Sequence, residues 1–320
     1  MAPDIISIGE PMVEFCATSK GRLSQVPLFK RGWGGDTSNF AVAVARLGGS
    51  VGYICRLGDD EFGRSFLELW KKEGVDASKV IVEKGAFTGV YFISLMEGGK
   101  HDFTYYRKDS AASHFSPEDL DESYVKEAKV LHSSGISLAV SQSLREAVLK
   151  AVSLCKASGG IFSFDPNVRL RLWPIGTARA IIEYAFRQAD IILSSIEDME
   201  LLYGIVDPEV VSKKLIEMGA SIIALKLGAQ GCYIRARDKA FFSEGFKVDV
   251  VDTTGAGDAF DGAFLVGYLE GWDLQKISAF ANAVGALTTT GFGAVAPIPT
   301  REEALRFMES RSSPREKRSF

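Results

Sequence analysis

The sequence is poor in the residues that build metal sites and disulfides. Only three histidines and four cysteines occur among its 320 residues. The cysteines (Cys16, Cys55, Cys155 and Cys232) are far apart and form no C-x-x-C pair, and the histidines lack the spacing of metal ligands. These absences exclude a structural zinc site and favour reduced, buried thiols in a cytoplasmic protein.

Long apolar runs and an excess of one charge are also missing. No uninterrupted apolar stretch approaches the length of a membrane span, and the N-terminus has no basic segment followed by an apolar one. We therefore expect neither membrane contact nor a signal peptide. The net charge of −4 gives no general attraction to nucleic acid. An anionic substrate must be captured by a few local cations.

What the sequence does have is an alternation of strand-like and helical patterns. Residues 5–8 and 51–55 predict buried strands, and residues 35–47 and 62–72 carry apolar side chains at helical spacing. After Ser116 and Pro117 the alternation predicts strands at 130–133, 161–164, 191–193, 222–226 and 231–234. It predicts helices at 144–157, 177–188, 208–218, 255–270 and 274–290. This order favours an α/β fold with a mostly parallel sheet and helices on both faces.

Two stretches interrupt the alternation with strands alone. Residues 90–95, a turn at 97–100 and residues 103–106 predict a β-hairpin, and residues 12–15 and 26–29 are also strand-like. We expect these four strands to form one small sheet, a lid on the α/β core. The predicted domains are a core of residues 1–10, 35–85 and 110–309, a lid of residues 11–34 and 86–109, and a flexible tail of residues 310–320.

The segment at 252–258, D-T-T-G-A-G-D, carries the clearest chemical signal. A Gly-Ala-Gly turn that leads into a helix places consecutive backbone N–H groups at the positive end of that helix, where they can hold phosphate. Asp258 falls in the first helical turn and could accept a proton from an attacking hydroxyl. The alternative is a tight turn with Asp258 as a helix cap. The segment is not a Walker A loop, because G-x-x-x-x-G-K-[ST] is absent.

A second glycine-containing segment lies near the N-terminus. Residues 34–41 read G-G-D-T-S-N-F-A and run on to A-R-L-G at 45–48. Gly34 and Gly35 allow close approach of the backbone to a ligand, and Asp36 and Asn39 offer acceptors and donors to hydroxyl groups. Taken alone, a helix N-terminus with an aspartate cap explains the segment almost as well.

Together the two segments resemble the signature patterns of the PfkB (ribokinase-like) family of carbohydrate kinases, G-G-x-x-x-N-x-A with A-R-L-G, and D-T-x-G-A-G-D. The resemblance covers residues 4–309. It implies a Rossmann-like core with a β-sheet lid and a cleft for ATP and a sugar. Asp258 would deprotonate the acceptor hydroxyl, and the amides of Gly255, Ala256 and Gly257 would form the anion hole. The chain would then be a cytoplasmic, ATP-dependent sugar kinase.

The resemblance also implies a nucleotide site. Its residues would be Ser195, Glu197, Lys226, Gly228, Gly231, Gly255, Gly257 and Asn282. Residues 291–297 resemble the loop that helps bind a monovalent cation such as K⁺. The family's N-x-x-E motif reads S-S-I-E at 194–197, so Ser194 replaces the asparagine and Glu197 is retained. Mg²⁺ would be held mainly by ATP phosphates and water, with Glu197 acting through water.

Two further segments point to the sugar. Y-Y-R at 105–107, followed by S-A-A-S at 110–113, and D-P-N-V-R at 165–169 resemble 2-keto-3-deoxygluconate kinases within the family. Arginine offers paired donors to a carboxylate and tyrosine a hydroxyl, so Arg107 and Arg169 would recognise the acid of a keto sugar that is phosphorylated at its terminal hydroxyl. The implied substrate-binding residues are Gly34, Gly35, Asn39, Tyr91, Tyr105, Tyr106, Arg107, Asp165, Asn167, Arg169 and Asp258.

Three functions remain open on the sequence. Beside 2-keto-3-deoxygluconate kinase stands another sugar kinase of the family, such as a fructokinase, whose neutral substrate has less need of two arginines. The third is a non-catalytic sugar- or nucleotide-binding relative, against which the intact Asp258 argues. Because Tyr105 and Tyr106 alternate on a strand, one of them could pack away from the ligand. The exposed edge of the lid sheet is compatible with a homo-oligomer.

Overall fold

The computed structural model describes residues 2–96, 101–237 and 239–312. Its strands are β1 (Ile5–Ile8), β2 (Met12–Lys20), β3 (Phe29–Gly34), β4 (Val51–Ile54), β5 (Arg56–Gly58), β6 (Ile81–Glu83), β7 (Val90–Leu95), β8 (His101–Tyr106), β9 (Val130–Ser134), β10 (Ile161–Asp165), β11 (Ile191–Ser195), β12 (Ile222–Lys226), β13 (Gly231–Ala236) and β14 (Lys239–Glu244). Its helices are α1 (Asp36–Arg46), α2 (Glu61–Glu73), α3 (Glu122–Glu127), α4 (Gly135–Val140), α5 (Gln142–Ala157), α6 (Ile175–Gln188), α7 (Ile196–Tyr203), α8 (Pro208–Glu217), α9 (Ala256–Leu269), α10 (Leu274–Thr288) and α11 (Arg301–Ser312).

The main sheet has eight strands in the order β14-β13-β12-β11-β10-β9-β1-β4. The six strands from β12 to β4 run parallel, and β13 and β14 continue the sheet antiparallel. The central strands are nearly continuous apolar runs, such as I-I-S-I in β1, because helices bury both faces of a parallel sheet. The predicted α/β fold is therefore confirmed.

The hydrophobic core is divided between the two faces of the main sheet. Ile5 of β1 belongs to the cluster that contains Phe40 of α1 and Phe264 of α9. Its neighbour Ile6 belongs to the other cluster, with Phe186 of α6 and Val148 of α5. The period-2 alternation of a strand thus sends successive side chains to opposite helix layers. The two helix layers hold the sheet from both faces and so fix the positions of the carboxyl ends of its parallel strands.

A separate four-stranded sheet, called the small sheet below, has the order β3-β2-β7-β8. The β2–β7 pair is parallel, and the other two pairs are antiparallel. Tyr91 pairs with Glu14 on one side and Tyr105 on the other, so these three side chains share one face. Phe92 pairs with Phe15 and belongs to the opposite face. The division of the chain into core and lid domains stays a prediction.

Several elements differ from the sequence prediction. The strand expected at 26–29 is β3, which starts at Phe29, because pairing with β2 selects the segment from Phe29 to Gly34. The helices α4, α7 and α11 and the strand β14 were not predicted. Residues 310–312 belong to α11 and not to a tail, whereas residues 313–320 and the turn at 97–100 lie outside the described residues.

The helices have ordinary globular lengths, for example 16 residues in α5. Within the described ranges, no helix is long and apolar enough to cross a membrane. The homo-oligomer expected from the edge of the small sheet stays a prediction.

Candidate active site

A cleft of about 950 Å³ lies between the small sheet and the carboxyl ends of the main-sheet strands. Such an edge is where open parallel sheets usually bind ligands, because loops and helix N-termini converge there. The predicted site residues that line the cleft are Gly35, Asn39, Tyr91, Tyr105, Arg107, Asp165, Asn167, Arg169, Ser195, Glu197, Lys226, Gly228, Gly255, Gly257 and Asp258. The fold thus brings together residues from seven segments of the sequence.

The anion-binding turn is held in shape by both backbone and side-chain contacts. Gly255 has φ +79°, and a Cβ there would lie 2.5 Å from the carbonyl oxygen of Ala294. The carboxylate of Asp252 accepts hydrogen bonds from Thr254 N at 3.0 Å, from Thr254 Oγ1 at 2.7 Å and from Gly293 N at 2.9 Å. Because α9 begins directly after Gly255, the turn presents backbone amides at the positive end of that helix.

Asp258 lies in the first turn of α9, where it is half-buried and lines the cleft. Its Oδ2 accepts a hydrogen bond from Asn39 Nδ2 at 2.8 Å. Burial and, after it, the negative charge of Asp36 raise the pKa of Asp258 to about 7, against the lowering effect of the hydrogen bond from Asn39. A carboxylate with such a pKa can take up a proton near neutral pH.

The start of α1 brings hydrogen-bonding groups to the same place. Gly35 has φ +94°, and a Cβ there would lie 2.4 Å from Glu10 O, so only glycine fits. Asp36 accepts from Thr37 N at 2.8 Å and from Asn167 Nδ2 at 3.0 Å. The amide oxygen of Asn39 is buried without a partner among the described residues, so it is available as an acceptor for a ligand hydroxyl.

Lys226, at the end of β12, forms a buried ion-pair cluster beside the anion-binding turn. Its Nζ donates to Asp165 Oδ2 at 2.9 Å and to the two carboxylate oxygens of Asp261 at 2.9 and 3.1 Å. Burial acts to raise the pKa of Asp165, but the Lys226 ammonium lowers it below its usual value. Sequence reasoning missed Asp261, because its position on α9 reads as an ordinary helix residue.

The S-S-I-E segment begins α7 at the rim of the cleft. Ser195 caps the helix, since its Oγ accepts from Asp198 N at 3.1 Å and donates to Asp198 Oδ2 at 2.9 Å. Ser194 instead donates to the carbonyl of Ser195. Glu197 is exposed and lines the cleft. Its carboxylate could thus support Mg²⁺ through water, whereas in residues 2–96, 101–237 and 239–312 no group of three acidic, cysteine or histidine side chains is arranged to hold an ion directly.

The loop at 291–297 packs against the anion-binding turn and is anchored from outside by Arg46. This arginine, from the A-R-L-G segment, donates to Val295 O at 2.8 Å and to Ile298 O at 2.7 Å. It also pairs with Glu73 at 2.8 Å. Arg46 is a further residue that sequence reasoning missed. Binding of a monovalent cation by this loop stays a prediction.

Two buried acid groups with partners lie in or next to the small sheet, namely Glu14 in β2 and Glu10 in the connection between β1 and β2. Tyr91 Oη donates to Glu14 Oε2 at 2.6 Å, and burial raises the pKa of Glu14 to about 7. Arg107 forms a buried ion pair with Glu10, which also accepts from Ser110 Oγ at 2.7 Å. The guanidinium of Arg107 is therefore partly neutralised, although its Nε has no partner in the described part of the chain.

Arg169, the second predicted arginine, has fewer charged partners than Arg107. Arg169 is exposed in the cleft, and its guanidinium donates to the carbonyl of Val168 at 2.9 Å. Among the described side chains it forms no ion pair. Its neighbour Arg171, also in the cleft, pairs with Asp102 of β8 at 2.7 Å and donates to Phe103 O. Arg169 is thus the cation in better position to meet an anionic ligand.

Five predicted site residues do not line the cleft, namely Gly34, Tyr106, Gly231, Ala256 and Asn282. Tyr106 lies on the opposite face of the small sheet from Tyr105, is 58% exposed and contacts Phe92. The Asn282 amide donates to Ser243 O and Glu244 O, both at 3.1 Å. Gly34 remains adjacent to the cleft, because a Cβ there would lie 2.3 Å from Tyr91 Oη.

A mostly parallel sheet, a small covering sheet and an anion-binding turn beside a half-buried aspartate define a ribokinase-like fold suited to phosphoryl transfer. The chain belongs to the pfkB family of carbohydrate kinases, whose family description matches residues 2–301.

Individual relatives differ in the sugar that they are named for. Fructokinase-1 of Oryza sativa subsp. japonica is 39% identical over 317 residues, covering 96% of this chain and 98% of that protein. 2-Dehydro-3-deoxygluconokinase of Thermoproteus tenax is 36% identical over 310 residues, covering 96% and 94%. A candidate ribokinase II from E. coli in complex with ATP and Mg²⁺ has a TM-score of 0.90 and 31% identity, covering 96% and 99%. These identities do not separate the two sugars.

Proposed function

We propose that this protein transfers the γ-phosphoryl group of ATP to the terminal hydroxyl of 2-keto-3-deoxygluconate (also called 2-dehydro-3-deoxygluconate), giving the 6-phosphate. The observation that carries the choice of sugar is Arg169, an exposed guanidinium that forms no ion pair with the described side chains and lines the same cleft as Tyr91 and Tyr105. The Thermoproteus relative supports it, and the E. coli complex with ATP and Mg²⁺ supports the nucleotide.

Asp258 would act as the base. It removes the proton from the attacking hydroxyl, whose oxygen bonds to the γ-phosphorus while the bond to the bridging oxygen breaks and ADP leaves with that electron pair. Asn39 orients the Asp258 carboxylate through Nδ2 and leaves its own Oδ1 for a sugar hydroxyl. The amides of Gly255, Ala256 and Gly257 stabilise the charge on the transferring group.

Mg²⁺ would supply charge neutralisation on the ATP phosphates. Glu197, the exposed carboxylate at the start of α7, fits the role of a water-mediated partner. Magnesium retains several waters in most protein sites, so a single acidic side chain is sufficient.

Recognition of the acid would fall mainly to Arg169. Arg107 already has Glu10 as its partner, and a substrate carboxylate would have to compete with that ion pair or use the unpartnered Nε. Both arginines remain candidates for acid recognition, with Arg169 the stronger.

Phosphorylation of fructose is the second candidate. The pairing of Arg107 with Glu10 reduces the positive charge that faces the sugar, and the rice relative is a fructokinase. A neutral ketose could use the same base and the same Asn39 oxygen.

A comparison of sugars with an arginine variant tests the proposal. We expect ADP formation to be fastest with 2-keto-3-deoxygluconate, and Arg169→Ala to raise its KM about tenfold or more, as loss of a charge-assisted hydrogen bond predicts. The same change should alter the KM for fructose less than about twofold, since fructose has no carboxylate to lose a partner.

Asp258→Asn serves as the control, because it should abolish ADP formation with every sugar if turnover comes from this cleft. Fructose turning over faster than the keto acid would reject the choice of sugar and favour the second candidate. Equal effects of Arg169→Ala on both sugars would reject Arg169 as the acid-binding residue.

A further inference from the structure

The end of β12 places a cation directly beside the anion-binding turn. A Cβ on Gly257 would lie 3.5 Å from Lys226 Nζ, which is ordinary van der Waals contact. Lys226 lines the cleft, and its side chain is 14% exposed. The ammonium therefore lies at the wall of the cleft, next to the second glycine of the Gly-Ala-Gly turn.

Two carboxylates on different elements hold this ammonium in place. Asp165 reaches it from the end of β10 at 2.9 Å, and Asp261 reaches it from α9 with both oxygens. Asp261 is 1% exposed and follows Asp258 by one helical turn, so it shares the helix whose N-terminus binds the anion. Without Asp261, the ammonium would be attracted towards β10 and away from Gly257.

We propose that Asp261 is a positioning residue for phosphoryl transfer: with Asp165 it holds the Lys226 ammonium beside Gly257, where the charge stabilises the transferring phosphoryl group. The inference rests on the phosphotransfer proposed above but not on the identity of the sugar. The hydroxyl proton goes to Asp258 and the leaving electron pair to ADP, so Lys226 keeps its protons throughout.

Transfer of a phosphoryl group is favoured by a positive group beside the phosphates. A P-loop kinase reaches the β- and γ-phosphates with the lysine of its Walker A motif, which this sequence lacks. Lys226 instead brings an ammonium group from a neighbouring strand, with part of its charge offset by Asp165 and Asp261. Burial lowers the pKa of Lys226, but the two carboxylates raise it above its usual value, so the group remains an ammonium across the working range.

The first experiment is Asp261→Asn, which keeps the size and one acceptor oxygen. We expect kcat to fall about tenfold or more, since a misplaced charge-stabilising group costs a reaction at least that much, while the KM for ATP changes less than about threefold. The assay uses whichever sugar the parent enzyme phosphorylates, so an error in the sugar assignment does not affect the result.

Asp190→Asn is the matched control. Asp190 also pairs with a lysine, Lys156, at 2.8 Å, and accepts from Phe162 N, but it precedes β11 at the opposite edge of the main sheet. We expect it to lower the melting temperature less than Asp261→Asn, because Asp190 is more exposed than Asp261, and to leave kcat unchanged. An unchanged kcat in Asp261→Asn, or an equal fall in both variants, would overturn the inference.

A double-mutant cycle separates positioning from general damage. Lys226→Gln keeps donors for the two carboxylates but removes the charge. Asp261→Asn should then cause no further fall in kcat in the Lys226→Gln background, whereas independent falls would overturn the inference.

The pH profile gives a second readout. Asp36 and Asp165 raise the pKa of Asp258 after burial, and Asn39 and Lys226 lower it. Removing the Lys226 charge should therefore move the acid limb of kcat/KM to higher pH, and an unmoved limb would count against the proposal. Loss of turnover in Asp258→Asn tests the base itself and is judged apart from these results.

Discussion

At the scale of single residues, the environment of Asp258 separates it from ordinary surface carboxylates. Burial, reinforced by the negative charge of Asp36, raises its pKa to about 7. Asn39 opposes both effects and fixes the direction of the carboxylate. A base with a pKa near the working pH is deprotonated often enough to act and still accepts a proton readily.

The first residue-scale prediction concerns pH. Because Asp258 must be deprotonated to act as a base, kcat/KM for the sugar at saturating ATP should fall as the pH drops below about 7. Asp36→Asn removes a negative charge that raises the pKa of Asp258. We therefore expect this variant to move the acid limb to lower pH, whatever its effect on the absolute rate.

Steady-state rates measured across the pH range, with ADP formation as the readout, check this. Asp190→Asn, far from the cleft, should keep the acid limb of the parent. An Asp36→Asn limb that coincides with the parent, or moves to higher pH, would contradict the electrostatic explanation.

The sequence could predict those site residues that belong to short motifs of consecutive residues. The turn around Gly255 and the aspartate that follows it lie in seven consecutive residues. The two glycines before α1 and the asparagine in its first turn lie in six. It could not predict that Glu10 would pair with Arg107, 97 positions away, or that Asp261 would pair with Lys226, 35 positions away. Such pairs depend on which strand ends become neighbours.

At the scale of elements, the entry into α9 is the most constrained turn of the site. Gly255 combines a left-handed φ of +79° with close contact to the backbone of Ala294. Asp252 ties the residues before the turn to Gly293 on the same neighbouring loop. The turn and the loop at 291–297 therefore form one unit, which Arg46 anchors from its outer side.

Gly255→Ala should disable this unit. The new Cβ would lie 2.5 Å from Ala294 O, so the turn must move and carry its amides away from the phosphate. We expect kcat to fall about 100-fold or more, because small displacements of charge-stabilising donors have large effects on rate. Steady-state kinetics and thermal unfolding of the variant check both consequences.

Gly271→Ala is the matched control for backbone strain. Gly271 follows α9 with φ +72°, and a Cβ there meets nothing within 4 Å. This change should cost about 1 kcal/mol of unfolding free energy through its left-handed conformation alone, and leave kcat unchanged. If the two variants lost activity equally, the contact with Ala294 would not be the cause.

The elements themselves were predictable to different degrees. β12 covers the predicted residues 222–226, because an apolar run between polar segments marks a strand buried on both faces. β3 was misplaced, since its residues alternate weakly and its position depends on pairing with β2. α7 was missed because its first residues were interpreted as a motif and not as the capped start of a helix.

At the scale of the whole molecule, one exposed contact joins the two sheets across the cleft. Arg171 follows the D-P-N-V-R segment of the core, and its guanidinium pairs with Asp102 on β8 of the small sheet. The side chains are 62% and 54% exposed, so the pair contributes little to the stability of the fold. The pair nevertheless favours a closed cleft, because it links the segment after β10 directly to the small sheet.

We expect Asp102→Ala to weaken sugar binding without affecting the fold. An exposed ion pair is worth about 0.2–1 kcal/mol, so loss of the contact should raise the KM for the sugar by about 1.4- to fivefold. The rise should shrink in high salt, which screens exposed charges. Lys213→Ala breaks a pair of similar exposure, Lys213 with Glu209 on α8, and should leave the KM unchanged.

The double variant decides whether Asp102 acts through Arg171. If it does, adding Asp102→Ala to Arg171→Ala changes nothing, because Arg171→Ala already removes both the ion pair and the hydrogen bond to Phe103 O. An additional rise in KM when Asp102→Ala is introduced into Arg171→Ala would instead show that Asp102 affects the sugar independently of this contact. Either result is read from the KM for the sugar, with the melting temperature confirming that all three variants are folded.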